Sequence, residues 1–268
     1  MNGRTARGPV ATIDVKTLLR TLQSEFPALK EARESAALLA RRALRVPHER
    51  DFAGLRHLRV APGECFVDVG ANRGQSIESI RIVRKDATIV SFEANPLLAR
   101  RLARRYAGRS GITIVPRGIA DAAGRFALYV PSYKGYVYDA LASLDRAAAG
   151  AWLANGAVRG FDPRRFEIAE LPCELETLDA HALQPAFIKV DVERFEFQAL
   201  RGARETLRRH EPVLLVESYR SDPRTVALLE EFGYAEFSYD GRAFRRGAGS
   251  GSPNSFLITP RRLPGLPT

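Results

Sequence analysis

The sequence predicts an α/β fold built around a mostly parallel β-sheet, and two features indicate it. From residue 64 onward, short apolar segments alternate with amphipathic segments whose apolar residues recur at helical spacing. This alternation is typical of βαβ units, in which helices cover both faces of a parallel sheet. The last two strand candidates, 234–240 and 255–260, have no helix between them, which favours an antiparallel end to the sheet.

The first 59 residues are predicted to form a helical extension before this domain. Their apolar residues follow helical spacing in two groups, which are Val15, Leu18, Leu19, Leu22 and Phe26, and, after Pro27, Leu29, Ala32, Ala36, Leu39 and Ala43. An apolar helical stripe must be buried, so we expect it to pack on the main body or on another subunit.

The main domain is predicted to span residues 60–262, with a short tail at 263–268. Its predicted strands are 64–70, 87–93, 111–120, 186–193 and 212–218, and its predicted helices are 76–83, 97–107, 196–210 and 224–234. A long insertion, about 126–177, interrupts the alternation and contains Tyr129, Tyr133, Tyr136, Tyr138 and Trp152. Insertions of this length are usually lids, substrate-binding elements or oligomer contacts. The Gly- and Ser-rich segment 241–254 is predicted to be a flexible loop.

The composition excludes several classes of protein. No segment approaches the roughly 20 apolar residues that span a bilayer, and the N-terminus lacks the apolar run of a secretory signal. We therefore expect a cytoplasmic protein with no membrane partner. The net charge of +10 comes almost entirely from arginines that are scattered over helices, which argues against nucleic acid as a partner. The two cysteines, Cys65 and Cys173, are expected to be buried thiols.

Candidate chemistry lies at the carboxyl ends of the strands, where open parallel sheets bind their ligands. Each predicted strand presents a carboxylate at or just beyond that end, and these are Asp68, Glu93, Asp121, Asp191 with Glu193, and Glu217. Such a concentration of acids in a basic protein indicates a binding site at this edge of the sheet.

The segment FVDVGANRGQ predicts a nucleoside site. Asp68, Gly70, Asn72 and Gly74 alternate where a buried strand becomes a helix, and Glu93 ends the next strand. In this layout the glycine turn lets backbone approach the ligand, and the acid accepts both ribose hydroxyls. A dinucleotide requires the spacing GxGxxG, which is missing here. S-adenosylmethionine (SAM) has no phosphate and fits this turn better.

The motifs DVGANRGQS, SFEANP, FIKVDVERFEFQALRGA and VLLVE resemble the FkbM family of SAM-dependent methyltransferases, in register from about Val60 to Thr259. The resemblance implies a Rossmann-like class I SAM-dependent methyltransferase fold. That fold has a mostly parallel seven-stranded sheet with an antiparallel last strand, and here it carries the insertion between strands three and four. One departure is Arg194, because the family usually has glycine after DVE.

The resemblance also assigns residues to the site. Glu93 resembles the ribose-binding residue, and Gly118, Ile119 and Ala120 resemble the wall of the adenine pocket. Asp191 is implied to lie near the methionine end of SAM and the substrate. Asp191 and Glu193 are both candidates for the general base. We favour Asp191 in positioning cofactor or substrate, which leaves Glu193 as the base or as a metal or substrate ligand.

The implied reaction is O-methylation of a sugar or secondary-metabolite hydroxyl. His181 and His210 are expected at the opposite end of the sheet, whereas His48 and His57 cannot be oriented from sequence. No metal is predicted, because no His/Asp cluster has ligand spacing. The alternatives are a nucleic-acid methyltransferase, which would usually carry an NPPY-like motif, an NAD-dependent oxidoreductase, and a catalytically silent SAM-fold binding module. The acceptor, which could be a small molecule or a glycan, and the oligomeric state are left open.

Overall fold

A computed structural model describes residues 29–152, 161–247 and 252–268. The helices are α1 (Leu29–Leu44), α2 (Gln75–Val83), α3 (Pro96–Tyr106), α4 (Arg146–Trp152), α5 (Glu196–Arg201), α6 (Arg204–His210) and α7 (Pro223–Glu231). The strands are β1 (Cys65–Val69), β2 (Ile89–Phe92), β3 (Ile112–Val115), β4 (Gly118–Ile119), β5 (Gly124–Tyr133), β6 (Tyr136–Val137), β7 (Phe166–Glu176), β8 (Pro185–Val190), β9 (Val213–Glu217), β10 (Ala235–Tyr239), β11 (Phe244–Arg246) and β12 (Asn254–Ile258). The helix predicted around residues 15–26 lies outside the described residues.

The main sheet has eight strands in the order β11-β10-β12-β9-β8-β1-β2-β3. Strands β9, β8, β1, β2 and β3 are parallel, and β12 runs antiparallel to both of its neighbours. The predicted Rossmann-like fold, with a mostly parallel sheet and an antiparallel last strand, is confirmed. The order of its parallel strands puts the carboxyl ends of β1, β2, β8 and β9 side by side.

The eighth strand, β11, lies in the segment that was predicted to be a loop. Phe244 begins this strand and is only 1% exposed. Its ring packs edge-on against Phe256, with 5.0 Å between the ring centroids. Burial of this aromatic side chain explains why 244–246 pairs with β10, whereas the Gly- and Ser-rich residues 248–251 lie outside the described residues.

The insertion forms a second sheet of four strands, in the order β4-β7-β5-β6. Strands β5 and β7 pair antiparallel from Gly124↔Leu175 to Tyr133↔Phe166. The predicted third strand, 111–120, is divided between the two sheets at Pro116, which has no N–H for a ladder. Its first half is β3, and its second half is β4. This division leads the chain from the carboxyl end of β3 directly into the second sheet.

Two apolar layers hold the helices on the main sheet. Phe66 and Phe187 face the layer beneath α2 and α3, whereas Val67 and Ile188 face the layer beneath α5 to α7. These side chains are almost completely buried, as expected for strands that are covered on both faces. None of the helices in the described ranges is long and apolar enough to cross a membrane.

Helix α1 differs from the expectation for its apolar stripe. Ala32, Ala36, Leu39 and Ala43 are all exposed, whereas Leu38, on the neighbouring face, is half-buried. The main body therefore does not cover the stripe that helical spacing predicted to be buried.

Candidate functional site

A cavity of about 680 Å³ lies at the carboxyl ends of the parallel strands, partly covered by the insertion. Volumes of roughly 300–1,000 Å³ are usual for small-molecule sites. The turn after β1 and the end of β2 line one part of the cavity, and the ends of β8 and β9 line another, through Gly70, Asn72, Glu93, Asp191, Glu193 and Glu217. The structure thus brings together the acids that sequence placed at separate strand ends.

The glycine turn is held at close range to the neighbouring strands. Gly70 has φ of 92°, and a Cβ atom there would overlap the carbonyl oxygen of Asp191. The N–H groups of Gly70 and Ala71 both donate to the carbonyl of Phe92, at 3.0 Å each. Only glycine allows this conformation together with such an approach. Gly74, with φ of 89°, is the N-cap residue that precedes α2, and it does not line the cavity.

Glu93 fastens the turn to the end of β2. One carboxylate oxygen, Oε2, accepts the N–H of Asn72 at 2.6 Å, and Oε1 accepts the N–H of Asn95 at 2.8 Å. Burial raises the pKa of Glu93 to about 7, although both backbone hydrogen bonds oppose the shift. Each oxygen keeps a lone pair for a further donor, which a ligand hydroxyl could supply.

Asp68 lies beneath the cavity wall rather than in it. It is completely buried, and its Oδ2 accepts the hydroxyl of Ser91 at 2.7 Å. Its strand neighbour across the sheet is Lys189, whose charge partly offsets the burial that raises the pKa of Asp68. Asp68, which was predicted to bind the cofactor, is therefore absent from the cavity lining and lies beneath it.

Lys189 is a buried cation at the far end of the cavity. It is 2% exposed, and its Nζ lies 2.6 Å from Oδ2 of Asp191. Burial disfavours its charge, but Asp191 and Asp68 outweigh that effect and raise the pKa of Lys189. Burial likewise works against the charge on Asp191, but the Lys189 ammonium lowers its pKa overall. Asp191 is consequently ionised at neutral pH.

Two further carboxyl groups beside Asp191 have pKa values well above the usual value for glutamate. Burial and the negative charge of Asp191 raise the pKa of Glu193 to about 7. Burial and a hydrogen bond with Asp191 raise the pKa of Glu217 to about 8. At neutral pH, Glu217 is therefore mostly protonated and donates to Asp191. Carboxyl groups with separated pKa values are typical of acid–base sites.

The backbone after β8 is left-handed at two successive residues. Glu193 has φ of 43°, and Arg194 has φ of 72°. A side chain in this conformation costs about 1–2 kcal/mol relative to glycine. Both residues line the cavity, so the strain lies at the site itself.

The insertion contributes to the cavity and is tied to the glycine turn. Leu128, Leu175 and Asp139 line the cavity, beside Gly118 and Ile119. Ala120 is buried behind this wall and is absent from the lining.

The side chain of Asp139 also forms an ion pair with Arg73 of the glycine turn, and Arg73 Nε donates to it at 2.9 Å. The two side chains are 13% and 8% exposed, so the link is shielded from water.

The tyrosines of the insertion pack within it. Tyr136 and Tyr138 lie with their ring centroids 4.8 Å apart, and Tyr133 stacks on Phe161 at 5.1 Å. None of the four insertion tyrosines lines the cavity as described, and the side chain of Trp152 lies outside the described residues. The rings of Tyr133, Tyr136 and Tyr138 therefore contact other aromatic side chains of the insertion.

His48, which could not be oriented from the sequence, lines this cavity. Its N–H donates to the Ser79 hydroxyl at 2.9 Å, which sets the segment after α1 at the cavity mouth. Burial lowers the pKa of His48, so its imidazole is neutral at neutral pH. His57, the other histidine left open, lies 3.1 Å from the Tyr239 hydroxyl and is not in the lining.

Within the described ranges, no group of three or more His, Cys, Asp or Glu side chains could hold a metal ion. Of the acids that line the cavity, Asp191 is paired with Lys189 and shares a hydrogen bond with Glu217.

Comparison with known proteins gave one family match. Residues 68–236 match the family model "Methyltransferase FkbM domain". No curated protein matches the chain.

Comparison with solved structures gave several methyltransferases, all at low identity. An FkbM methyltransferase from Methylobacillus flagellatus KT has 18% identity and a TM-score of 0.47, over 75% of this chain and 45% of that one. The chain thus spans less than half of that protein. A SAM-dependent O-methyltransferase from Thermotoga maritima has 12% identity and a TM-score of 0.39, and the match covers 80% of this chain and 65% of that one. A precorrin-6y C5,15-methyltransferase from Geobacter metallireducens has 16% identity and a TM-score of 0.37, and the match covers 78% of this chain and 84% of that one.

Proposed function

The chain belongs to the FkbM methyltransferase family, and we propose that it transfers a methyl group from SAM to a hydroxyl oxygen of a small molecule or glycan, such as a sugar or secondary metabolite. The observation that carries the proposal is the cavity. It joins a nucleoside-type site, formed by the glycine turn and Glu93, to a second group of acids at Asp191 and Glu193.

The residues present fit SAM. Glu93 offers lone pairs for two ribose hydroxyls, and the apolar wall at Gly118, Ile119 and Leu175 suits a flat base. A Cβ atom at Gly118 would overlap the side chain of Leu175, so the glycine keeps this wall closely packed. The ionised Asp191 suits the cationic methionine end and would repel the pyrophosphate of a dinucleotide.

When bound, SAM supplies an activated methyl group, so the chain has only to align the acceptor and receive its proton. Asp191, held ionised by Lys189, is suited to orient the cationic end of the cofactor or a polar group of the acceptor. Glu193 is suited to receive the proton that the acceptor hydroxyl would lose on methylation. A base with a pKa of about 7 is half ionised at neutral pH, which is favourable for general base catalysis.

His48 is a second candidate for the base, because it is neutral and lies at the mouth of the same cavity. Glutamine at either position removes the base while keeping a side chain of similar size. We expect Glu193→Gln to bind S-adenosylhomocysteine normally and to lose roughly 10²- to 10⁴-fold in turnover at neutral pH. Glu170→Gln, on an exposed position of β7, is the matched control. Full activity of Glu193→Gln with a large loss in His48→Gln would transfer the role to His48.

The first experiment is isothermal titration of the full chain with S-adenosylhomocysteine and, separately, with NAD. Binding of the first alone supports the proposal. Incubation with methyl-labelled SAM and a panel of sugars and hydroxylated metabolites then identifies the acceptor. Absence of S-adenosylhomocysteine binding would refute the proposed cofactor and favour a silent binding module. We also propose a cytoplasmic location, since Cys65 and Cys173 are buried free thiols.

A further inference from the structure

A second cavity lies where three helices end. It has a volume of about 600 Å³ and is lined by residues at or just after the ends of α1, α2 and α3 and by the start of β3. It shares no lining residue with the cavity at the strand ends. Its volume is within the range of roughly 300–1,000 Å³ that is usual for small-molecule sites.

The lining of this second cavity is strongly basic. Glu78 is the only acid in the lining as described, and it forms an ion pair with Arg109 at 3.0 Å. Within the described part of the chain, the side chains of Arg42, Arg45 and Lys85 form no ion pair. Their charges are therefore available to an anionic ligand. The cationic side chains of the lining are five, namely Arg42, Arg45, Arg81, Lys85 and Arg109.

The helix ends account for only part of this positive charge. Cations are favourable there, because the carboxyl end of a helix carries roughly half a negative charge. Three helices end at the cavity, so their ends and Glu78 together offset about half of the five cationic charges. An excess of about two to three positive charges remains, which is more than capping of the helices requires.

Side-chain contacts fix the walls of the cavity. The guanidinium of Arg81 donates to the carbonyls of Lys85 and Ser110, and so joins α2 to the loop before β3. The guanidinium carbon of Arg109 lies 5.3 Å from the centroid of the Tyr106 ring. Walls that are ordered before binding reduce the entropy that a ligand must offset.

We propose that this second cavity, referred to here as the basic cavity, binds a soluble compound that carries two or more phosphate groups. Each phosphate group carries about 1.5 to 2 negative charges at neutral pH, and its oxygens accept paired N–H groups from arginine. Arg42 and Arg45 line one side of the cavity and Lys85 another, so they are placed to contact different phosphates. The inference does not depend on the proposed methyl transfer, because the two cavities are lined by different residues.

The chemistry of the lining also favours a free compound over a lipid headgroup. Ile82 and Ile112 are the only apolar side chains in the lining as described, and both are half-buried. They offer little surface to an acyl chain, whereas phosphate groups alone can satisfy the arginines.

The test is isothermal titration of the purified full chain with inorganic pyrophosphate, at low and at high salt. We expect saturable binding that weakens as salt is added, because dissolved ions screen the charges. Arg42→Ala with Arg45→Ala should raise the dissociation constant by about tenfold or more, since hydrogen bonds to a charged group are lost. Both side chains are exposed, so the fold should be unchanged.

Two controls separate the basic cavity from general attraction between charges. Arg125→Ala with Arg164→Ala removes the same charge from side chains that are 90% and 89% exposed, and it should bind pyrophosphate as the wild type does. Citrate carries its negative charges on carboxylates and should bind more weakly than pyrophosphate. Thermal unfolding checks that every variant is folded.

A third measurement distinguishes the source of the phosphate groups. The full chain is floated with vesicles of phosphatidylcholine that also contain phosphatidic acid, and we expect no binding. Flotation that Arg42→Ala with Arg45→Ala abolishes would assign the cavity to a lipid headgroup and overturn the proposal of a soluble ligand.

Four titration results would also overturn the proposal. Absence of saturable pyrophosphate binding would remove the site, and wild-type affinity in Arg42→Ala with Arg45→Ala would place the anion elsewhere. An equal loss in the Arg125 and Arg164 control would indicate attraction by net charge alone. Equal affinity for citrate would show that the cavity does not select phosphate.

Discussion

Replacing Glu93 with glutamine should weaken both the glycine turn and the binding of S-adenosylhomocysteine. In the structure each carboxylate oxygen accepts one backbone N–H, from Asn72 and from Asn95. A glutamine side chain has one oxygen, so its NH₂ group must face one of these donors. A buried donor that loses its acceptor costs about 1–3 kcal/mol, and we expect that loss in the free energy of unfolding. Glu93→Ala removes both acceptors and should be worse.

The pH dependence of binding provides a sharper test of the same carboxylate. Its pKa of about 7 means that Glu93 is half protonated at neutral pH in the free protein. In the proposed mode of binding, ribose hydroxyls donate to the ionised form of Glu93. The affinity for S-adenosylhomocysteine should therefore fall by up to tenfold per pH unit below pH 7 and level off above pH 7. The contribution of Glu93 to the free energy of unfolding changes with pH in the opposite direction. The folded pKa lies above the usual value of 4.5, so ionisation opposes folding, and stability from this group declines as pH rises from about 4.5 to about 7.

The assay is isothermal titration on both sides of pH 7, combined with urea denaturation at each pH. The wild type should show the break in affinity near pH 7, and Glu93→Gln should bind more weakly with a flat profile. The control is Glu170→Gln, at an exposed position of β7, which should match the wild type in both measurements. Wild-type affinity and stability in Glu93→Gln would remove this residue from the cofactor site and from the support of the turn.

Three further predictions follow from the strained or titrating residues of the site. Gly70→Ala should lower the free energy of unfolding, measured in urea, by about 3 kcal/mol or more, because the new Cβ would overlap the Asp191 carbonyl and φ is positive. A loss under about 1 kcal/mol would mean that the ends of the strands separate easily. Arg194→Gly should raise that free energy by up to about 1 kcal/mol through relief of φ at 72°, whereas a decrease would show that the guanidinium stabilises the site. Glu217→Gln keeps a donor to Asp191 without the charge, so its melting temperature should exceed that of the wild type above pH 8 and approach it below pH 5. Parallel melting curves at all pH values would contradict the raised pKa of Glu217.

The sequence by itself predicted the main sheet and the grouping of Gly70, Asn72 and Glu93 at one edge of it. Apolar segments and amphipathic helices are local patterns, and the register of a parallel sheet brings successive carboxyl ends to one edge. The sequence therefore predicted that Gly70, Asn72 and Glu93 lie close together, because a glycine-containing turn and an acid at a strand end can both be recognised in it. Membership in the FkbM family rests on the same motifs.

Tertiary structure decided the rest, because burial and proton affinity depend on neighbours that are distant in sequence. The backbone N–H of His48 donates to Ser79, and this hydrogen bond holds His48 at the cavity. The pKa of Glu217, at the end of β9, is raised by Asp191, which follows the neighbouring strand β8. Pairing of β5 with β7 joins residues across the whole insertion, and no short-range pattern predicts it. Helical spacing showed that α1 has an apolar stripe, but only its placement on α2 showed which face remains exposed to water.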